Sequence, residues 1–204
     1  HFLPILKLLL MMNRLPFLYS GWLVVLLVFI SLSNISAQPL PPLQPEQDCI
    51  NAIPVCQNLY FQPNSYQGEG LDSTEIQPLV TGSCLGSGEL NDVWYIFTVQ
   101  TAGDVCFSII PVDGNDDYDW AVYDITNNPC SDIAVDPSIE VSCNYAGANA
   151  TCAGVTGPTG NLAGACPALN EPCIPVQVGE TYVINVSNFS QTASGYTIDF
   201  SAST

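Results

Sequence analysis

Basic residues are nearly missing from this 204-residue chain. Lysine and arginine together occur twice and histidine once, against 19 aspartates and glutamates, for a formal charge of −17. The three bases, His1, Lys7 and Arg14, all precede Ala37, and every acid follows it. A segment with no histidine or lysine has no imidazole or amine general base, no Ser-His-Asp triad and no histidine ligand for zinc. Without arginine it has no planar fork for phosphate, and without any base it has no patch for nucleic acid. Two further absences narrow the field. No C-x-x-C pair exists to hold a structural zinc, and no window has a capped helical period. What remains is carboxylate chemistry, cation binding, or a surface acting through shape and hydrogen bonds.

Residues 15–32 form one apolar run, followed by Ser33-Asn34-Ile35-Ser36-Ala37 and then Gln38-Pro39. A basic start, an apolar stretch around Leu23–Ile30 and a small residue at the cut are the layout of a secretory signal peptide cleaved after Ala37. The only methionines, Met11 and Met12, offer the start, so residues 1–10 read as upstream read-through or a cloning artefact. An uncleaved anchor is the rival, but the run ends in small polar residues and not in a charged stop. Residues 38–47 are a proline-rich spacer, and 48–204 are one domain's worth of chain, long enough to bury a core. The expected location is secreted or at the cell surface, with no membrane insertion after cleavage.

Nine cysteines, all beyond the cut, fit an oxidising compartment, and four bridges leave one thiol over. Spacing alone does not determine the pairing. Short-loop logic favours Cys49–Cys56, Cys130–Cys143 and Cys166–Cys173, with Cys84–Cys106 stapling neighbouring strands and Cys152 odd.

Short alternating segments separated by Gly, Pro, Asn and Asp clusters give an all-β reading. Val93–Val99 is apolar on both faces, as a covered central strand would be. A strand is expected at Val105–Ile110, another at Tyr118–Ile125 with Tyr118, Trp120 and Val122 on one face. Gly179-Glu180 turns Ile174–Val178 into Thr181–Ser187, and Gly195–Ala202 alternates Tyr196, Ile198 and Phe200 against polar residues. Residues 144–173 read as a long surface excursion pinned by cysteines. The expected architecture is an antiparallel β-sandwich, jelly-roll-like, of about eight strands, stapled by disulfides.

The best candidate site is Asp113-Gly114-Asn115-Asp116-Asp117-Tyr118-Asp119. Oxygen ligands at alternate positions, Asp113, Asn115, Asp117 and Asp119, imitate the first half of a calcium loop, and calcium prefers such hard oxygens. It is not an EF-hand, since Tyr118 stands where glycine is required and strands flank it; the rival is a polar turn. Calcium is the single candidate cofactor. A glycosidase would need two paired acids; Glu69, Glu75, Glu89 and Glu140 are available, but no pattern pairs them, and each reads as a solvated surface acid. A cysteine nucleophile has no cationic neighbour to activate it. Tyr60, Phe61, Tyr66, Tyr145 and Phe189 are candidates to stack on sugars, whereas Trp94 and Trp120 read as core.

Several segments in order resemble a known family: Asp48-Cys49-Ile50-Asn51-Ala52-Ile53-Pro54-Val55-Cys56, Ser83-Cys84-Leu85-Gly86-Ser87-Gly88-Glu89, Val93-Trp94-Tyr95-Ile96-Phe97-Thr98, Asp116-Asp117-Tyr118-Asp119-Trp120-Ala121-Val122-Tyr123-Asp124, Cys143-Asn144-Tyr145-Ala146-Gly147, and Val178-Gly179-Glu180-Thr181-Tyr182 through Asn188-Phe189-Ser190 to Gly195-Tyr196. The series resembles the β-sandwich module near the N-terminus of large Bacteroidota surface proteins, which end in gliding-motility-associated or type IX secretion sorting domains. Asp119-Trp120-Ala121-Val122-Tyr123 is also similar to a strand of bacterial pre-peptidase C-terminal domains, some of which bind calcium or polymers. The resemblance implies a non-catalytic extracellular module acting in adhesion or ligand binding, with an extracellular polymer, glycan or protein surface as partner. The alternatives are a carbohydrate-binding accessory module of a secreted hydrolase and, more remotely, a carboxylate-dependent glycoside hydrolase.

Overall fold

The computed structural model of the chain describes residues 44–148 and 150–204. The expected leader, its Met11 or Met12 start and the spacer as far as Leu43 lie outside the described residues. The end of the expected spacer belongs to the folded part: Pro45–Gln47 is a 3-10 turn, and Gln47 is buried and donates its amide to Gly68 O at 2.9 Å.

The fold is all-β. Among the described residues there are ten strands: β1 (Ile53–Pro54), β2 (Leu59–Asn64), β3 (Val93–Thr98), β4 (Gly103–Val105), β5 (Ser108–Pro111), β6 (Tyr118–Asp124), β7 (Glu140–Asn144), β8 (Ile174–Val176), β9 (Thr181–Asn188) and β10 (Ser194–Asp199). They form a five-stranded sheet in the order β1-β3-β9-β6-β7, a three-stranded sheet β2-β10-β5, and a pair β4-β8. All pairs are antiparallel except β1 with β3, so the large sheet is mixed and the expectation of a purely antiparallel fold is corrected at that edge. The single α-helix, α1 (Pro78–Thr81), is one turn closed by Gly82 in the left-handed region.

The two faces of the large sheet are covered differently. Val93 and Tyr95 of β3, Tyr118, Trp120 and Val122 of β6, and Tyr182, Ile184 and Val186 of β9 point inward. There they meet Ile109 of β5, Tyr196 and Ile198 of β10, and Ile174 and Val176 of β8 in one core. The alternation expected for β6 and β10 is what places these side chains, because successive residues of a strand face opposite ways. On the outer face Trp94, Ala121, Tyr123 and Val183 meet Cys49, Ile76, Leu85, Ile133 and Ile139. Those partners come from 3-10 turns and loops, so this face is roofed by irregular chain and not by a second sheet.

Three expectations are corrected. Val105–Ile110 is not one strand: Cys106-Phe107 separates β4 from β5, which join different sheets. The 144–173 excursion is not all surface. Thr156 and Leu169 are buried, the Thr156 backbone bridges Ile109, and its hydroxyl accepts the Trp120 indole N–H at 2.9 Å while donating to Leu169 O. The Gly179 turn is present, but the strands it joins, β8 and β9, pair with other partners.

The disulfide expectation is corrected throughout. The bridges are Cys49–Cys130, Cys84–Cys143, Cys106–Cys173 and Cys152–Cys166, and the free thiol is the exposed Cys56, not Cys152. The reasons are geometric. Extended chain through β1 carries Cys56 away from Cys49, whereas a bridge needs Cα atoms within about 7 Å. Cys106 follows Val105, whose strand partner is Ile174, so it stands beside Cys173. Cys49 and Cys84 lie in the roof, and their bridges bind that roof to itself and to β7. Among the described residues, no helix is long and apolar enough to cross a membrane. Four bridges place the maturation of this domain in an oxidising compartment.

Candidate functional site

The 113–119 segment leads from β5 into β6. Asp113 Oδ1 accepts both the backbone and the side-chain N–H of Asn115, at 3.0 and 2.9 Å, on an exposed turn closed by Asp116 N–H to Asp113 O. These bonds hold the Asp113 carboxyl below the usual carboxylate range. Asp116 is buried and accepts the Thr192 hydroxyl at 2.9 Å. Asp119 falls on the outer face of β6, and Asp117 immediately precedes the strand. Burial raises both, and with Asp117 nearby pushes Asp119 up to about 7. Among the described residues, the oxygens of Asp113, Asp117 and Asp119 do not gather within 4.8 Å of one another. The segment therefore divides into a self-bonded turn and a strand face, and does not converge as a ready ligand shell. Cys84, Glu140 and Cys143 do converge, but the two sulfurs are bonded to each other and cannot ligate as thiolates.

The acids read as solvated behave differently from one another. Glu69 is exposed and Glu140 half-buried, but Glu75 and Glu89 are buried, so the surface expectation for those two is corrected. Segment 65–91 folds across the end of the outer face where β3 begins, and it places both glutamates beside Asp92 and Asn185. Glu75 accepts the Cys49 N–H on both oxygens at 3.0 Å, and burial pushes its carboxyl up to about 7. Glu89 is 3% exposed, and its carboxyl meets the Glu75 carboxyl and the Ile76 backbone. Burial first, then the charges of Asp92 and Glu75, push it up to about 10. Asp92 is fully buried and raised by burial to about 7, its Oδ2 accepting the Asn185 amide at 2.7 Å. Asp92 Oδ1 and Asn185 Oδ1 are left without partners.

Glu75 also faces outward, into a cleft of about 630 Å³ walled by Asp48, Leu71, Asp72, Pro129 and Cys130. Asp48 shapes the rim by accepting the N–H groups of Leu71 and Asp72 at 2.7 and 2.9 Å. Gly70 is required there: it has φ +74°, and a Cβ would fall 2.5 Å from Asp48 Oδ1.

Of the aromatics expected at the surface, Phe61, Tyr145 and Phe189 are exposed. Tyr60 and Tyr66 pack against the core, Tyr60 edge-on to Tyr95 at 5.8 Å. Sequence reasoning missed the company Phe61 keeps. Thr197 of β10 pairs with Phe61 on one side and Ile110 on the other, and Asp199 pairs with Leu59. The outward face of the three-stranded sheet thus presents Leu59, Phe61, Ile110 and Val112, exposed by 53, 66, 39 and 59%. The signal was available in the alternation of β5 and β2, but not which sheet they share.

No protein-family model matches the chain, and neither curated proteins nor solved structures give a match.

Proposed function

We propose that the chain is a non-catalytic extracellular module of a cell-surface protein, which docks on an extracellular partner through the outward face of β2-β10-β5. The observation that carries the reading is the row Phe61–Thr197–Ile110 with Leu59 and Val112 beside it. It is an apolar patch whose members strand pairing sets side by side on one sheet face. Beyond Ala37 the chain carries 19 acids and no base, so the partner's contact surface is neutral or basic, a glycan or a protein. A module of a surface protein and an accessory module of a secreted hydrolase would both use such a face. The family resemblance favours the first.

The hydrolase reading draws on one observation. Glu75, raised to about 7, and Asp72, held low by its Thr74 bonds, line the same cleft, as an acid and an ionised partner would. It ranks below binding because both Glu75 oxygens already accept the Cys49 N–H.

The test is a glycan-array and cell-surface binding assay with the labelled chain, beside Phe61→Asp and Ile110→Asp. Binding lost in both variants, with unchanged melting curves, supports the face. Binding that survives both substitutions places the contact elsewhere. Self-association abolished by Phe61→Asp would mean that the face joins copies of this chain and not a foreign partner.

A further inference from the structure

We propose that Glu75, Glu89 and Asp92, with the side-chain oxygen of Asn185, form a buried binding site for a divalent hard cation, calcium by its chemistry, reached from the Asp48–Asp72 cleft. The inference does not depend on the docking face, which lies on a different sheet, nor on the 113–119 turn.

Three carboxylates are buried side by side in a domain that has no lysine, arginine or histidine to neutralise them. An isolated buried carboxylate is costly and persists only if something compensates it. The unsatisfied atoms around Glu89 point to the missing species. Asp92 Oδ1 and Asn185 Oδ1 are acceptors with no donor, and the Glu89 carboxyl meets the Glu75 carboxyl, acceptor against acceptor. A proton shared between Glu75 and Glu89 would still leave Asp92 Oδ1 and Asn185 Oδ1 without a donor. One cation satisfies them together.

The donor set fits calcium. All four groups offer hard oxygens, three charged and one amide, and calcium takes six to eight such ligands in variable geometry. Magnesium demands a stricter octahedron and gives up its waters reluctantly, which suits a dry pocket poorly. The oxygens of the three acids do not all lie within 4.8 Å of one another, so the ion would draw the glutamates inward. Both glutamates lie on irregular chain, whereas Asp92 and Asn185 are held at the start of β3 and within β9. Glu75 stands between the open cleft and Glu89, which provides the entry path. The site would also tie segment 65–91 to the sheet, adding an ionic cross-link to the Cys49–Cys130 and Cys84–Cys143 bridges.

The test uses the full chain with its disulfides formed. Terbium, a calcium mimic, is titrated in and its emission excited through the aromatic side chains, Trp94 being the cross-strand neighbour of Asn185. Calcium is then used to compete it off, and thermal melts are run in calcium, magnesium and EDTA. The expected result is sensitised emission displaced by calcium, and a melting midpoint several degrees higher in calcium at about a hundredfold excess over Kd. Both effects should vanish in Glu89→Gln and Asp92→Asn and survive in Asp117→Asn/Asp119→Asn. A variant that fails to fold does not end the test. In the wild-type chain, calorimetry should report saturable calcium binding that magnesium does not displace. No emission and no calcium-specific shift would mean the chamber holds protons alone, and the proposal fails. Binding that follows Asp117 and Asp119, or that magnesium displaces equally well, would put the ion on another acid group and equally overturn it.

Discussion

Trp94 and Trp120 stand on opposite faces of the same five-stranded sheet, both completely buried. Trp120 looks into the core shared with β5, β8 and β10, packs edge-on to Phe107 at 5.3 Å, and gives its indole N–H to Thr156. Trp94 looks into the roof, next to Tyr123 at 5.9 Å, and its indole N–H has no partner. Tyr123 OH, Asp92, Asp119 and Asn185 repeat that condition on the same outer face. One face is finished like a protein interior, where among the described residues Asn188 Oδ1 alone lacks a partner. The other is apolar toward Val183 and Ile139 and left open in its hydrogen bonding at the end where β3 begins. Buried polar atoms are normally satisfied, so a concentration of unpartnered ones on one face sets it apart from ordinary packing.

The strongest way to break this comparison is to damage both faces equally. Trp120→Ala should cost about 3–5 kcal/mol, since it removes a fully buried ring and strands Thr156. The gentler pair is more telling. Trp120→Phe loses a matched hydrogen bond, whereas Trp94→Phe removes an indole donor that had no partner, so Trp120→Phe should be the more destabilising. Urea unfolding reads both, and an equal or reversed order would show that the two faces are not different in kind.

Titration sharpens the same contrast. Burial raises Glu75 and Asp92 to about 7 and Glu89 to about 10, while in the unfolded chain such groups titrate near 4. The folded domain therefore binds protons that the unfolded one does not; this contribution is full below about pH 4 and is lost as pH rises through about 7 for Glu75 and Asp92 and about 10 for Glu89. In EDTA, stability should fall between pH 5 and pH 8 by at least about 1 kcal/mol, one pKa unit being about 1.4 kcal/mol. Asp72, Asp113, Asp136 and Asp199 are shifted the opposite way, but they are exposed, and screening keeps their share small. Asp92→Asn should flatten the profile. Melting midpoints equal at the two pH values would remove the outer face's special status.

Much of the inner face was legible in the sequence, because period-two alternation over Tyr118–Asp124 and Gly195–Phe200 is a local signal that burial preserves. The outer face was not, for a physical reason. Glu75 and Glu89 sit in a stretch with no regular element beyond the one turn of α1, so nothing local says which way they point. Their burial follows from how segment 65–91 crosses the sheet, a consequence of tertiary packing and two bridges. The reading of 113–119 erred in a complementary way. The alternate spacing of acids was real, but spacing across a turn that runs into a strand sends Asp113 and Asn115 one way and Asp117 and Asp119 another.

The smallest expected effect belongs to Cys56, and it tests the pairing that carries the roof. Loop-closure entropy made Cys49–Cys56 attractive, yet that term grows only slowly with loop length and is outweighed when strand geometry holds two sulfurs apart. Cys56 instead stands exposed at the end of β1, its thiol turned toward Pro54 O at 3.3 Å. Cys56→Ser should therefore shift stability by less than about 0.5 kcal/mol, as surface substitutions do. Peptide mapping should still recover Cys49 joined to Cys130. Cys130→Ser frees Cys49 and unties the roof from itself, so it should cost about 2–4 kcal/mol and weaken calcium uptake along with it. If Cys56→Ser were the costly change and Cys130→Ser the mild one, the short hairpin loop would be the true bridge. The roof over Glu75 and Glu89 would then have to be redrawn.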